Sequence, residues 1–281
     1  MEKPICLMGF SIKEIKRRSS LMMRILISYI ELLLYNLTMK NTFLFFLCLL
    51  FISCVRGQEV KPSGTNLTVK WAPTGLVMGS LSFAGEYNFG GKSSLTAKIG
   101  IPVKATHSFQ YDGDDADFEM RATSFLAGYR MYFSKKHMKG LYFEPYFKYV
   151  HHTSDGSASS SLHYRPVRMN FLNNYNGAGV GAQLGAQFII RKRFIIDLFF
   201  LGPELNSSSN KFRASEGGSV LPWTALEAEN ARRDIIDFVN QFPFLKNNTD
   251  VMVDNSNRTV TANFNGALPG IRTGVSFGVA F

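Results

Sequence analysis

Two adjacent histidines, His151 and His152, are followed at once by Ser154 and Asp155, and His163 comes shortly after. A histidine that takes a proton from a serine while a carboxylate orients it is the machinery of acyl transfer. Adjacency in the chain does not create that geometry, so the expected state of this run is a polar rim, with a hydrolase site as the alternative. A second candidate is "YDGDDAD" at 111–117, whose Asp112, Asp114, Asp115 and Asp117 are oxygen donors of the type calcium prefers. The run lacks the spacing and the terminal Glu of an EF-hand loop, and reads as a solvated acidic loop. After residue 58 the chain has no glycine-rich phosphate loop, no zinc-ligand spacing and no dinucleotide fingerprint. No metal or cofactor is expected, and the protein reads as a non-enzyme.

Charge and cysteine content narrow the classes further. The formal net charge is +10, but the first 57 residues hold 8 Lys and Arg against 3 acids. This leaves 23 basic and 18 acidic residues, a net +5, for the remainder. Half of the basic excess sits in the leader, which removes most of the case for nucleic acid. Cys6, Cys48 and Cys54 all precede residue 58, so the rest of the chain can form no disulfide.

The segment "MKNTFLFFLCLLFISCVRGQ" (39–58) has a basic start, an apolar run from Phe43 to Ile52 and small residues at Val55 and Gly57. This is the pattern of a secretory signal peptide over 39–57, preceded by an upstream extension over 1–38. Segment 21–34 as a membrane anchor and acylation of Cys54 within "FISC" are the alternatives. The mature domain is expected to span 58–281.

From there the pattern has a two-residue period. Apolar and polar residues alternate over 66–71, 77–89, 95–103, 124–133, 141–149, 177–190 and 270–281, and 194–201 is apolar except for Asp197. That predicts eight strands. Pro145, within the fifth, must interrupt the pairing because it has no N–H to give. Connections such as "GGK", "SKKHMKG" and "RKR" are short, while the alternate ones are long, apart from a brief "APTGL" after the first strand. The last long connection, 204–268, contains a helix: Thr224 and Glu227 form a capping box, and Leu226, Ile235, Val239 and Phe242 can line one face.

Alternation alone says only that each strand divides two environments. In a soluble periplasmic lipocalin-like barrel the apolar face encloses an apolar ligand, whereas in an outer-membrane barrel it meets lipid. The glycines decide. Gly177, Gly179, Gly181, Gly185, Gly270, Gly274 and Gly278 lie on the polar face, where a crowded interior needs room and a wet surface gains nothing. The expected fold is therefore an all-β, eight-stranded antiparallel up-and-down transmembrane β-barrel with one short helix in the last long loop. Lys70, Glu86, Lys98, Arg130, Glu144, Lys148, Asp197 and Arg272 would form a charge network in its lumen, with no open pore.

The runs "GLYFEPYFKY", "GAQFIIRKRFIIDLFFLGPEL" and "GIRTGVSFGVAF" resemble outer-membrane β-barrel domains of unknown function common in Bacteroidetes. The resemblance is carried by Gln187 and Phe188, the basic turn Arg191 to Arg193, Asp197, Gly202 and Pro203. It implies fold and location, and brings no catalytic residue. A last strand ending in Phe277, Val279 and Phe281 looks like the signal read by the barrel assembly machinery. Outer-membrane lipid and lipopolysaccharide are the other expected partners, with a structural or loop-mediated binding role in the envelope.

Overall fold

The computed structural model describes residues 66–111, 114–134, 138–162, 165–191, 193–218 and 221–281, together with two short paired strands, Cys6–Leu7 and Phe10–Ser11. The expected signal peptide, Cys54, Asp112 and His163 lie outside these residues.

Ten strands form one antiparallel sheet. In chain order they are β1 (Leu67–Ala72), β2 (Ser80–Asn88), β3 (Ser93–Pro102), β4 (Ala105–Tyr111), β5 (Asp114–Tyr132), β6 (Gly140–Leu162), β7 (Arg165–Ile190), β8 (Phe194–Glu216), β9 (Thr249–Asp254) and β10 (Thr259–Ala280). All except β4 and β9 pair in the ring order β1-β2-β3-β5-β6-β7-β8-β10, and β10 returns to β1 through Phe277–Trp71 and Val279–Val69. These eight are the strands expected from the sequence, closed into an up-and-down ring. The ladder between β5 and β6 skips Pro145, as its missing N–H requires.

The register fixes the tilt. Paired residues followed around the ring run from Phe277 through Trp71, Phe83, Ile99, Phe125, Tyr149, Ala178 and Ser207 to Ala267. The path meets β10 again ten residues from its start, so the stagger is ten for eight strands. Such a stagger tilts the strands by about 40° and leaves an interior that side chains can fill.

The long connections differ from expectation. Residues 105–111, 114–123, 150–162, 165–176 and 204–216 are strand, as are 249–254 and 259–268, so nearly half of the expected loop 204–268 is β-structure. Above the short β1–β3 side, β5–β8 and β10 continue upward. There β4 pairs with β5 and β9 with β10, giving an open sheet that rises from the ring. On the short side, a 3-10 turn at Pro73–Met78 replaces the expected start of the second strand and ends on Gly79. Gly79 has φ +71, and a Cβ there would run into the backbone of Met120 and Arg121, so only glycine fits.

Helix α1 (Ala225–Asn240) opens with the capping box: Thr224 accepts from the Glu227 N–H, and the Glu227 carboxylate accepts from the Thr224 N–H. It is followed by a four-residue turn of helix, α2 (Pro243–Lys246). Its buried face is Ala228, Ala231, Ile235 and Val239. Leu226, expected on that face, is 52% exposed. It precedes Ala228 by two residues, which is about 200° around a helix and so on the opposite side.

Candidate functional site

The side chains of the ring are sorted by sheet parity, and the sorting reverses along the axis. In the lower part, β1–β3 and the turn-proximal portions of β5–β8 and β10 point Val69, Trp71, Phe83, Ile99, Tyr129, Phe147, Val180 and Phe277 outward, all substantially exposed. Their neighbours of opposite parity (Thr68, Lys70, Ser82, Glu86, Thr96, Arg130, Glu144, Gln183, Gln187 and Asp197) are buried inside. Higher up, the outward positions are polar: Thr123, Arg121 and Asp117 on β5; Asn176 and Asn174 on β7; Ser207, Ser209, Lys211 and Arg213 on β8. The inward positions there are largely apolar, among them Met120, Ala122, Val167, Ala214, Val260, Ala262 and Phe264, with Ser154, Asn206, Ser208 and Glu216 as buried polar exceptions. Helix α1 seals this upper interior, with Trp223, Ala228 and Ala231 against Leu162 and Val167, and Ile235 and Val239 against Ala214, Val260 and Ala262.

The lower interior is one charged cluster. Lys70 Nζ donates to Glu86 at 2.6 Å, to Asp197 at 2.8 Å and to the Gln187 side-chain oxygen. Arg130 contacts Glu144 at 2.7 Å, Asp197 at 3.0 Å and Glu86 at 3.2 Å, and its guanidinium lies 3.7 Å from the centre of the Tyr142 ring. The Tyr142 hydroxyl donates to Asp197 at 2.7 Å, and the Tyr132 hydroxyl donates to Glu86. These residues come from six strands. The ten-residue stagger sets them at one height, because a level path slips a little more than one residue at each strand.

Of the eight lumen residues expected from sequence, Lys70, Glu86, Arg130, Glu144 and Asp197 meet in this cluster. Lys148 lies higher and pairs with Glu204. Arg272 donates to the Gln183 side chain at 2.6 Å. Lys98 Nζ sits 5.7 Å from the centre of the Phe199 ring. Glu204 escaped the sequence reading because the bulge between Phe199 and Leu201 resets the parity of β8 and turns Glu204 inward. Gln183 and Gln187 also complete the network, bonding Glu144 at 2.9 Å and the Met138 carbonyl at 2.8 Å.

The glycines of the polar face make room for large lumen groups. A Cβ on Gly185 would strike the Tyr142 ring, one on Gly181 the Tyr146 ring, and one on Gly274 the Phe199 ring. At the turn end Tyr132, Met138 and Tyr142 pack together beside Ile189 and close the lumen below.

The cap is pinned by charge as well. Arg165, at the start of β7, forks onto Glu216 at 2.6 and 3.0 Å and reaches Glu227 of α1 at 2.9 Å. The Trp223 indole donates to Glu216 at 2.6 Å. The Arg165 hydrogen bonds hold the Glu216 carboxyl below its ordinary range, so these contacts persist at neutral pH and weaken only as acid protonates it.

The histidine run is split by the strand. His152 and Ser154 face inward, whereas His151 and Asp155 face outward, and His151 Nδ1 lies 2.7 Å from the Asn176 side-chain oxygen. His151 and Asp155 share a face but stand about 13 Å apart along the strand. Burial, with His151 beside it second, lowers the His152 pKa below the ordinary histidine value. Asp117, from the acidic run, is exposed on β5. Among the described residues, no three His, Cys, Asp or Glu side chains cluster as a metal site would require.

No protein-family model matches the chain, and no curated relative matches it in sequence. Among solved structures, the crystal structure of Acinetobacter baumannii CarO matches with a TM-score of 0.38 at 9% identity, over 79% of this chain and 100% of that one. A likeness of this size carries no argument about function, and the weight falls on the chain's own sheet.

Proposed function

We propose that this protein is an outer-membrane β-barrel with a sealed lumen, and that its role is exercised by the helix-capped sheet rising above the lipid. The observation that carries the reading is the reversal of polarity along the axis. A ring wearing apolar side chains outside and charges inside is unstable in water, because exposed apolar area is not removed from solvent while charges are. Lipid around the lower part resolves the conflict. On β7 the apolar outward positions run from Ile190 to Val180. Ten residues at a strand rise of about 3.3 Å and a tilt of about 40° give a band about 25 Å tall, the height an outer-membrane barrel presents to lipid.

The upper sheet is built for water and for contact, with its polar face outward and its apolar face under α1. A structural or binding role there, without catalysis, is the function this arrangement supports best. Outer-membrane lipid and lipopolysaccharide are its proposed surroundings. The outward Phe277 and Val279 and the terminal Phe281 are the proposed handle for the assembly machinery, and the likeness to the Bacteroidetes barrels belongs to the same proposal. The test is fractionation followed by gel migration of boiled and unboiled samples. The protein is expected in the outer membrane with an unboiled band of different mobility. Recovery in the soluble periplasm would overturn the reading.

A further inference from the structure

We propose that the lumen holds one small monovalent anion, chloride in a chloride-containing medium, between Lys98 and Arg272. The lumen has a cavity of about 20 Å³, the size that admits a water molecule or a monatomic ion. Its wall includes four cations, Lys70, Lys98, Arg130 and Arg272, and two carboxylates, Glu144 and Asp197. The carboxylates are already engaged: Asp197 by Lys70 and Arg130, and Glu144 by Arg130, Thr96 and Gln183.

Among the described residues, Lys98 and Arg272 have no such partner. Arg272 donates to the neutral Gln183 oxygen and lies 4.5 Å from the centre of the Phe199 ring, and Lys98 lies 5.7 Å from the same ring centre. An aromatic face attracts a cation but does not neutralise it. Glu86 is spent on Lys70 and Arg130, and Lys148 and Glu204 cancel each other. With all of these groups ionised, five cations and four carboxylates among the described residues leave the lumen one positive charge in excess, and the two cations without a carboxylate partner are Lys98 and Arg272. Both are only part-buried, yet two cations lining one small cavity repel each other, and an anion between them relieves that repulsion. A monatomic anion fits the space, and the Lys98 ammonium and the Arg272 guanidinium supply its donors. The inference rests on the composition of the lumen and holds whether the outer face meets lipid or not.

The experiment uses the protein refolded in detergent. Crystals grown or soaked in sodium bromide should show an anomalous peak between Lys98 Nζ and the Arg272 guanidinium. Unfolding is compared in sodium chloride and in sodium gluconate at equal ionic strength. At chloride ten times its dissociation constant, linkage raises the folded-to-unfolded ratio about tenfold. Lys98→Met balances the lumen at four cations and four carboxylates, and should remain folded while losing both the peak and the chloride dependence. The proposal is overturned if bromide gives no peak and wild-type unfolding is the same in both salts. It is equally overturned if Lys98→Met keeps the full chloride dependence.

Discussion

Replacing Arg130 by methionine is expected to destabilise the barrel by about 3–5 kcal/mol, the usual cost of removing one partner from a buried charge cluster. Methionine keeps much of the volume, so the loss is electrostatic. Arg130 touches Glu86, Glu144 and Asp197 and is 4% exposed. Without it, Lys70 alone of the cluster's cations would face three carboxylates in a closed space. Urea titration of protein refolded into vesicles, read by gel mobility or tryptophan emission, measures the change. Arg121→Met is the control: Arg121 also pairs with a carboxylate, Glu119, but its side chain is 54% exposed, and such pairs contribute about 0–1 kcal/mol. Adding Glu144→Gln to Arg130→Met should recover part of the loss, since it removes one of the stranded charges. Equal effects for Arg130 and Arg121 would refute the claim that the lumen cluster holds the ring together.

Changing Ile99 to arginine should cost about 2–4 kcal/mol in a bilayer, the penalty for a cation on the lipid face near the midplane of a barrel. Ile99 points outward from β3 between Leu95 and Ile101 and is 49% exposed. For a barrel in water the same change adds charge to an exposed site and should move stability by no more than about 0.5 kcal/mol. Thr123→Arg, on the outward face of β5 just above the band, should be nearly neutral in either setting. Comparing both variants in vesicles separates the two environments, and an Ile99→Arg variant as stable as Thr123→Arg would mean that no lipid surrounds the band.

The sequence made the lower barrel legible because its period is strong. Apolar and polar or small residues contrast at each step from Leu95 to Ile101 and from Ala127 to Met131. The upper sheet looks like loops in the sequence because that contrast vanishes there. "GSASSS" and "NSSSN" place small polar residues on both faces, and no hydropathy pattern distinguishes such a strand from a linker. The inversion compounds the difficulty, since the face that carries apolar residues below carries Asn, Ser and Lys above. The charged residues could be chosen by parity alone, but their grouping could not. Which of them stand at one height depends on the stagger of ten, a property of the closed ring that no single strand encodes. Glu204 is hidden by a bulge, and the first half of the inner face of α1 by Ala228 and Ala231, which are too small to stand out beside Leu226, whereas Ile235 and Val239 show its second half.

The most direct test of the account uses the two tryptophans of the chain. Trp71 points outward from β1 at 39% exposure, whereas Trp223 is 4% exposed beneath α1 in the upper sheet. Trp223→Phe and Trp71→Phe each leave one reporter. Each variant is refolded into vesicles of ordinary phospholipid and of phospholipid brominated along the acyl chains. The account predicts strong quenching of Trp71 by brominated lipid and none of Trp223. Trp71 emission unchanged by bromine, or quenching of both tryptophans alike, would contradict it.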